Sequence, residues 1–343
     1  MRSDRFSAPL IAVLCLAMAL AWTGCPQSDD PESTRAKPSE PMAYRLKWLF
    51  NTSVVGELWA IKHDFFKDAG LDVTVKPGGP EQNAIKELEL GHARFGVASA
   101  DMVIHARAKG SPVVVIAQRF QVNPLQWIYR PEKTRIDSPT DLKGKVLGVT
   151  FGGNDEAIMN ALLANAGIGK SEVELFSVRY DYTPFYEGRV DLWPVYRNAQ
   201  GIIIGEKLKA AGESVAFFDP HAAGVRFVAN SVVTTESMLD DHPETVRRFL
   251  TALLSAWEVA LDPENADAAA EIIHQHDPDT PLDQIRQQLA ITRRMVKPSP
   301  DFPVGTIDRA AWKETERIML DGGLIDAPVE VTKALRPISV ASE

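Results

Sequence analysis

The chain has 343 residues, 45% hydrophobic and 24% charged, a balance that excludes a disordered polyelectrolyte and a membrane-embedded protein. At that length two lobes are expected, since domains cluster at roughly 100 to 150 residues. The formal charge is -9 and Lys and Arg gather into no run, so nucleic acid is excluded as a partner.

The amino terminus carries Arg2 and Arg5 before the apolar run Ala8–Trp22, followed by Thr23-Gly24-Cys25. The run is shorter than the about 20 residues that span a bilayer and has the character of a secretory signal. Only Cys15 and Cys25 are present. Cys15 would leave with the signal, so the exported protein can form no internal disulfide. A small residue followed by cysteine at this place resembles a bacterial lipobox, although Trp22 stands where that pattern usually has an aliphatic residue. Residues 1–25 are therefore expected to be a lipoprotein signal. Cys25 would be the lipidated residue that anchors the protein on the periplasmic or cell-surface face of a bacterial membrane. Residues 26–41 are rich in Pro, Ser and Asp, with Ala36 the one aliphatic residue, and are expected to be a disordered tether.

Beyond the tether, the pattern predicts strands at 44–50, 71–75 and 94–97 alternating with helices at 56–66, 82–90 and 101–108. Pro77-Gly78-Gly79-Pro80 closes the second strand as a turn. Strands follow at 113–117, 126–129 and 145–150, then a helix at 155–166 and strands at 174–178 and 215–218. This alternation predicts an α/β protein with mainly parallel sheets. From Thr235 onward the pattern is helical, at 243–260, 266–274, 282–296 and 308–321. The turn-rich segment 137–144 reads as a first crossing between lobes and 220–224 as a second. That division puts 42–136 and 225–343 in a discontinuous first lobe and 137–224 in the second.

In open α/β sheets, ligands bind beyond the carboxyl ends of strands and against helix amino termini. Two junctions fit. In the first, Ser99 is placed to cap the helix that carries Asp101. In the second, Gly152 and Gly153 precede Asn154 and allow close approach to the backbone. The aromatic residues Tyr182, Trp193 and Tyr196 offer faces on which a flat heterocycle can stack. Trp48 and Asn51 end the first strand. No GxSxG, HExxH, P-loop or paired-cysteine pattern is present, and His274 and His276 are spaced so that they do not share a helix face. The sequence thus calls for no catalytic residues, metal or cofactor.

The set Trp48-xx-Asn51, Phe65-Phe66-xxx-Gly70-Leu71-Asp72-Val73, Pro77-Gly78-Gly79-Pro80, Gly91-xxx-Phe95-Gly96-Val97-Ala98-Ser99-Ala100-Asp101 and Gly188-Arg189-Val190-Asp191 resembles the NMT1/THI5-like solute-binding proteins of ATP-binding cassette importers. The likeness runs from about Tyr44 to Asp262. It implies a two-lobed type II periplasmic-binding-protein fold, a small-molecule solute, permease and ATPase partners, and a monomeric receptor rather than an enzyme. Carried over residue by residue, Trp48, Asn51, Ser99, Asp101, Asn154 and Tyr196 fall where cleft residues lie. Pyrimidine binders of the family often show Asn-Glu-Pro after the strand that holds Tyr196, whereas this chain has Asn198-Ala199-Gln200. The expected solute is a thiamine-pyrimidine precursor or riboflavin-like heterocycle. The alternatives are a sulfonate, taurine or nitrate-type anion, or an enzymatic role in pyrimidine metabolism.

Overall fold

The computed structural model describes residues 40–79, 81–179 and 181–339. The expected signal, Cys25 and most of the tether lie outside them.

The first half of the chain lays down β1 (Met42–Arg45), α1 (Val55–Lys62), α2 (Phe65–Asp68), β2 (Val73–Lys76), α3 (Ala84–Glu89), β3 (Phe95–Ala98), α4 (Ala100–Ala108) and β4 (Val113–Gln118). Every residue of β3 and β4 is buried, as expected for apolar strands covered on both faces by helices. The chain then forms β5 (Leu125–Tyr129), β6 (Val146–Val149), α5 (Asn154–Asn165), β7 (Glu174–Ser177), α6 (Thr183–Tyr186), β8 (Trp193–Tyr196), α7 (Gln200–Ala210) and β9 (Ala216–Phe218). It returns through β10 (Ser231–Thr235) and ends in α8 (Glu236–Asp241), α9 (Pro243–Ala260), α10 (Ala266–His276), α11 (Leu282–Val296) and α12 (Arg309–Asp321).

The first sheet has the order β2-β1-β3-β10-β4. In it β10 alone runs antiparallel to its neighbours. The second array repeats the plan. β5 lies antiparallel between β8 and β9, while β6 pairs parallel with β7 and reaches the start of β8 through the Leu147–Leu192 bridge. In each array the reversed strand is the one that follows a crossing between sheets. The mainly parallel α/β architecture read from the sequence is thus the observed one.

Three details differ from the sequence reading. The first change of sheet falls in residues 119–124, one strand earlier than 137–144, because β5 pairs with β8 and β9. The 137–144 turn instead lies between β5 and β6, where the Asp141 carboxylate accepts from the backbone N–H groups of Asp137 and Ser138. The predicted strand 44–50 is also cut short after Arg45. Gly78 N–H donates to Trp48 O at 2.8 Å, and a Cβ on Gly78 would lie 2.2 Å from Leu46 O, so the glycine turn crosses the chain where the strand would continue. Finally, β8 and β10 are absent from the strands predicted by pattern.

One core packs α1, α9, α10 and α11 against the first sheet around Tyr44, Phe95, Phe249 and Trp257. A second runs from the other face of that sheet into β5, β6 and α5. A third, around Phe185 and Trp193, lies in the second array. The tightest helix contact is α1 on α9, where a Cβ on Gly56 would stand 2.2 Å from the Trp257 ring. Overpacking of that kind costs about 1–3 kcal/mol. Gly56→Ala should therefore lower the urea midpoint of unfolding with an unchanged slope, and a midpoint equal to wild type would contradict this packing.

Candidate binding site between the two sheets

On the first-sheet side, the chain leaves β1 and places Lys47 and Trp48, both half-buried, ahead of a short 3-10 turn over Thr52–Val54. Asn51 caps that turn, its side-chain oxygen accepting from Ser53 N–H at 2.8 Å. The next contribution comes where β3 ends. Ser99 takes the extended backbone of a helix cap, but its hydroxyl makes no capping bond. It is fully buried with Oγ unpartnered, and Asp101, in the first turn of α4, has Oδ1 in the same condition. A buried polar atom without a partner is costly, and in native proteins it marks a place where another molecule or ordered water supplies the bond.

On the second-sheet side, β6 ends in the Thr150–Gly153 turn and α5 starts at Asn154, whose Nδ2 is buried without a partner. The two glycines act differently from expectation. Gly152 sits in the left-handed region at φ 78, and its N–H is taken by the Glu156 carboxylate at 2.7 Å. Gly153 N–H is taken by Thr150 O, and a Cβ there would meet Asp155 Oδ1 at 2.5 Å. The glycines let the Asp155 carboxylate fold back to accept from Thr150 N–H, and their own N–H groups are already engaged.

The other second-sheet contribution is the end of β8. The Lys47 ammonium reaches across to the Tyr196 hydroxyl at 3.5 Å. Burial opposes the charge on Lys47, but Tyr196, Asp101 and Asp155 outweigh it and hold the amine above its ordinary value. Asn198 is fully buried. Thr52 Oγ1 donates to its carbonyl at 2.9 Å, and its Nδ2 donates to Ser53 Oγ at 3.0 Å and Thr292 Oγ1 at 2.9 Å. Its Oδ1 has no partner. Hydrogen bonds thus link the segment after β1 to the end of β8 across the two sheets, and the charges of Asp101, after β3, and Asp155, after β6, act on the same Lys47 ammonium.

Trp48, Asn51, Ser99, Asp101, Asn154, Tyr196 and Asn198 all lie on the segments that build this junction. Tyr182 and Trp193 belong elsewhere. Trp193 is 1% exposed in the third core, with Tyr182 edge-on at 5.9 Å, so these rings pack the second array. Sequence reasoning passed over Lys47, Thr52, Ser53 and Asp155. Lys47 had the available signal of a cation set between apolar residues, Leu46-Lys47-Trp48, just past the strand. A groove of about 650 Å³ between the start of α9 and the C-terminal tail, lined by Leu239, Pro243, Arg309 and Leu335, contains none of the site residues.

A family model described as NMT1/THI5 like matches residues 51–266. The riboflavin-binding protein RibY of Chloroflexus aurantiacus is 27% identical over 248 residues, covering 70% of this chain and 68% of the relative. The formylaminopyrimidine-binding protein of Halalkalibacterium halodurans is 25% identical over 345 residues, covering 99% of this chain and 100% of the relative. Among solved structures, the periplasmic aliphatic sulphonate binding protein SsuA from Escherichia coli superposes with a TM-score of 0.69 at 15% identity, covering 89% of this chain and 95% of that one. The desulfurization enzyme DSZB also shares the fold, with a TM-score of 0.57 at 14% identity, covering 87% and 96%.

Asp155 gives the site a measurable titration. Burial raises its pKa, and the hydrogen bonds from Thr150 offset this only in part. The folded protein therefore keeps a proton here at pH values where the unfolded chain has lost it, and stability falls as pH rises through that window. As pH rises through and above the ordinary carboxylate range, about 4, the wild type should lose thermal stability relative to Asp155→Asn, which lacks the titration. A difference in melting temperature that stays constant over this range would contradict the assignment.

Proposed function

Because the chain belongs to the NMT1/THI5-like family, we propose that it is a solute receptor of an ATP-binding cassette importer, and that its solute is a small nitrogen heterocycle of the pyrimidine or flavin kind. The observation that carries this reading is the set of unpartnered polar atoms at the junction of the two sheets: Ser99 Oγ, Asp101 Oδ1, Asn154 Nδ2 and Asn198 Oδ1. Two side chains come from each sheet, and donor and acceptor character are mixed. A ring bearing both N–H groups and lone pairs satisfies such a set, with Trp48 at its edge as the candidate stacking face. The names of the two relatives, riboflavin-binding and formylaminopyrimidine-binding, support the same solute class.

The charges favour this class over a sulfonate or nitrate. Lys47 is the cation of the junction, and Asp101 and Asp155 both face it. An anion drawn to the ammonium would also enter the repulsive field of both carboxylates. The shared fold with a desulfurization enzyme does not bear on the choice, since fold alone does not set function.

The receptor would work outside the cytoplasm, tethered by residues 26–41 to a lipid on Cys25. No helix among the described residues is long and apolar enough to cross a membrane. Mass spectrometry of the membrane fraction should find diacylated Cys25 at the mature terminus. An unmodified terminus at another residue would contradict the anchor.

Thermal unfolding of residues 38–343 against riboflavin, formylaminopyrimidine, hydroxymethylpyrimidine, taurine and nitrate tests the solute. A compound at about 100 times its dissociation constant stabilises the fold by roughly 2.7 kcal/mol. A heterocycle should shift the transition, and Trp48→Ala should diminish the shift. A shift with taurine or nitrate alone would overturn the heterocycle reading.

A further inference from the structure

α11 lies beyond the 51–266 family match, and its contacts give it a part in the site. Thr292 is fully buried and Gln288 is 2% exposed. The Thr292 hydroxyl donates to Gln288 O, one turn back, at 2.9 Å. A hydroxyl has one proton, so toward Asn198 it can only accept. That settles which end of the Asn198 amide faces α11. The amide presents Nδ2, whose two protons go to Thr292 Oγ1 at 2.9 Å and Ser53 Oγ at 3.0 Å, and Oδ1 is left buried and unpartnered. Gln288 adds a contact from its own side chain, Nε2 to Ala199 O at 3.5 Å. Thr52 Oγ1 donates to the Asn198 backbone carbonyl.

We propose that Thr292 is a positioning residue of the binding site. By accepting from Asn198 it fixes the amide so that Oδ1 faces the solute as an acceptor, and it holds the β8–α7 turn of the second array against the first sheet. The inference rests on the receptor reading for the use of Oδ1, while the arrangement of Asn198 is testable without any solute.

The test is hydrogen exchange in ligand-free residues 38–343, followed at the backbone of residues 196–202 and, by nuclear magnetic resonance of asparagine-labelled protein, at the Asn198 side-chain amide. Thr292→Val keeps shape but removes the acceptor, and exchange at both places should rise about tenfold, as for loss of one buried hydrogen bond. Thr292→Ser retains the hydroxyl and should restore wild-type protection, which a purely space-filling role would not require. Ser53→Ala removes the other acceptor and should release the same amide, so the question remains answerable if the Val variant does not fold. Wild-type protection of the Asn198 amide in the Val and Ala variants would overturn the proposal, as would release in the Ser variant equal to that in Val. If no compound shifts the thermal transition while these exchange results hold, the solute reading fails and the positioning of Asn198 stands.

Discussion

At the point where the chain first leaves the first sheet, Arg119 is fully buried and paired with Glu57, also fully buried. Tyr44 donates its hydroxyl to the same carboxylate at 2.9 Å, and the guanidinium lies 5.5 Å from the centre of the Trp257 ring. The interaction joins four parts of the molecule: the strand β1, the helix α1 that follows the Asn51–Ser53 turn, the first crossing and the long helix α9. Two charges removed from water must stay paired, since deleting one partner of such a pair costs about 3–5 kcal/mol. The crossing is therefore tied to the element that carries part of the binding site. Arg119 N–H also donates to Asn230 O at 3.1 Å, which brings the return crossing beside the outward one.

With both crossings held together, the remaining geometry follows from sheet topology. Each array has its parallel strands ending toward the other array, and helix starts stand at those ends. Ser99 and Asp101 come from the start of α4, Asn154 and Asp155 from the start of α5. The two arrays are not equivalent partners, however. The first contributes a cation, Lys47, and the second answers with the Tyr196 hydroxyl and the Asp155 carboxylate. The β8–α7 turn is buried against Thr52, Ser53 and Thr292 by hydrogen bonds that involve no solute. Contact between the arrays thus has a fixed part, built from the protein's own side chains, and a part made of unpartnered atoms.

Much of this was legible in the sequence. The 3.6-residue period of Pro243–Ala260 and Leu282–Val296 gives those helices with their observed ends, because each has one apolar face and a clear boundary. The strand-to-helix junctions at Ser99 and Asn154 were visible because a short apolar strand runs directly into polar helix-starting residues. Hidden from the sequence was anything set by pairing between distant segments. β10, Ser231–Thr235, has no alternation because all but its last residue is buried. The first crossing was misplaced because β5 resembles any buried strand until its partners β8 and β9 are known. Trp193 looked like a stacking face, and only its packing with Phe185 and Tyr182 reveals it as core. The role of Thr292 depends on a hydrogen bond to a residue 94 positions away, and no local pattern signals that.

The central claim is that both arrays contribute to one solute site. Native mass spectrometry of residues 38–343 tests it by comparing the wild type with one variant from each side, Asp101→Ala and Asn154→Ala, each supplied with riboflavin and with formylaminopyrimidine. The account predicts one heterocycle per chain in the wild type, released on unfolding and lost or sharply reduced in both variants. A heterocycle retained undiminished by either folded variant, or a wild type that takes up neither compound, would contradict it.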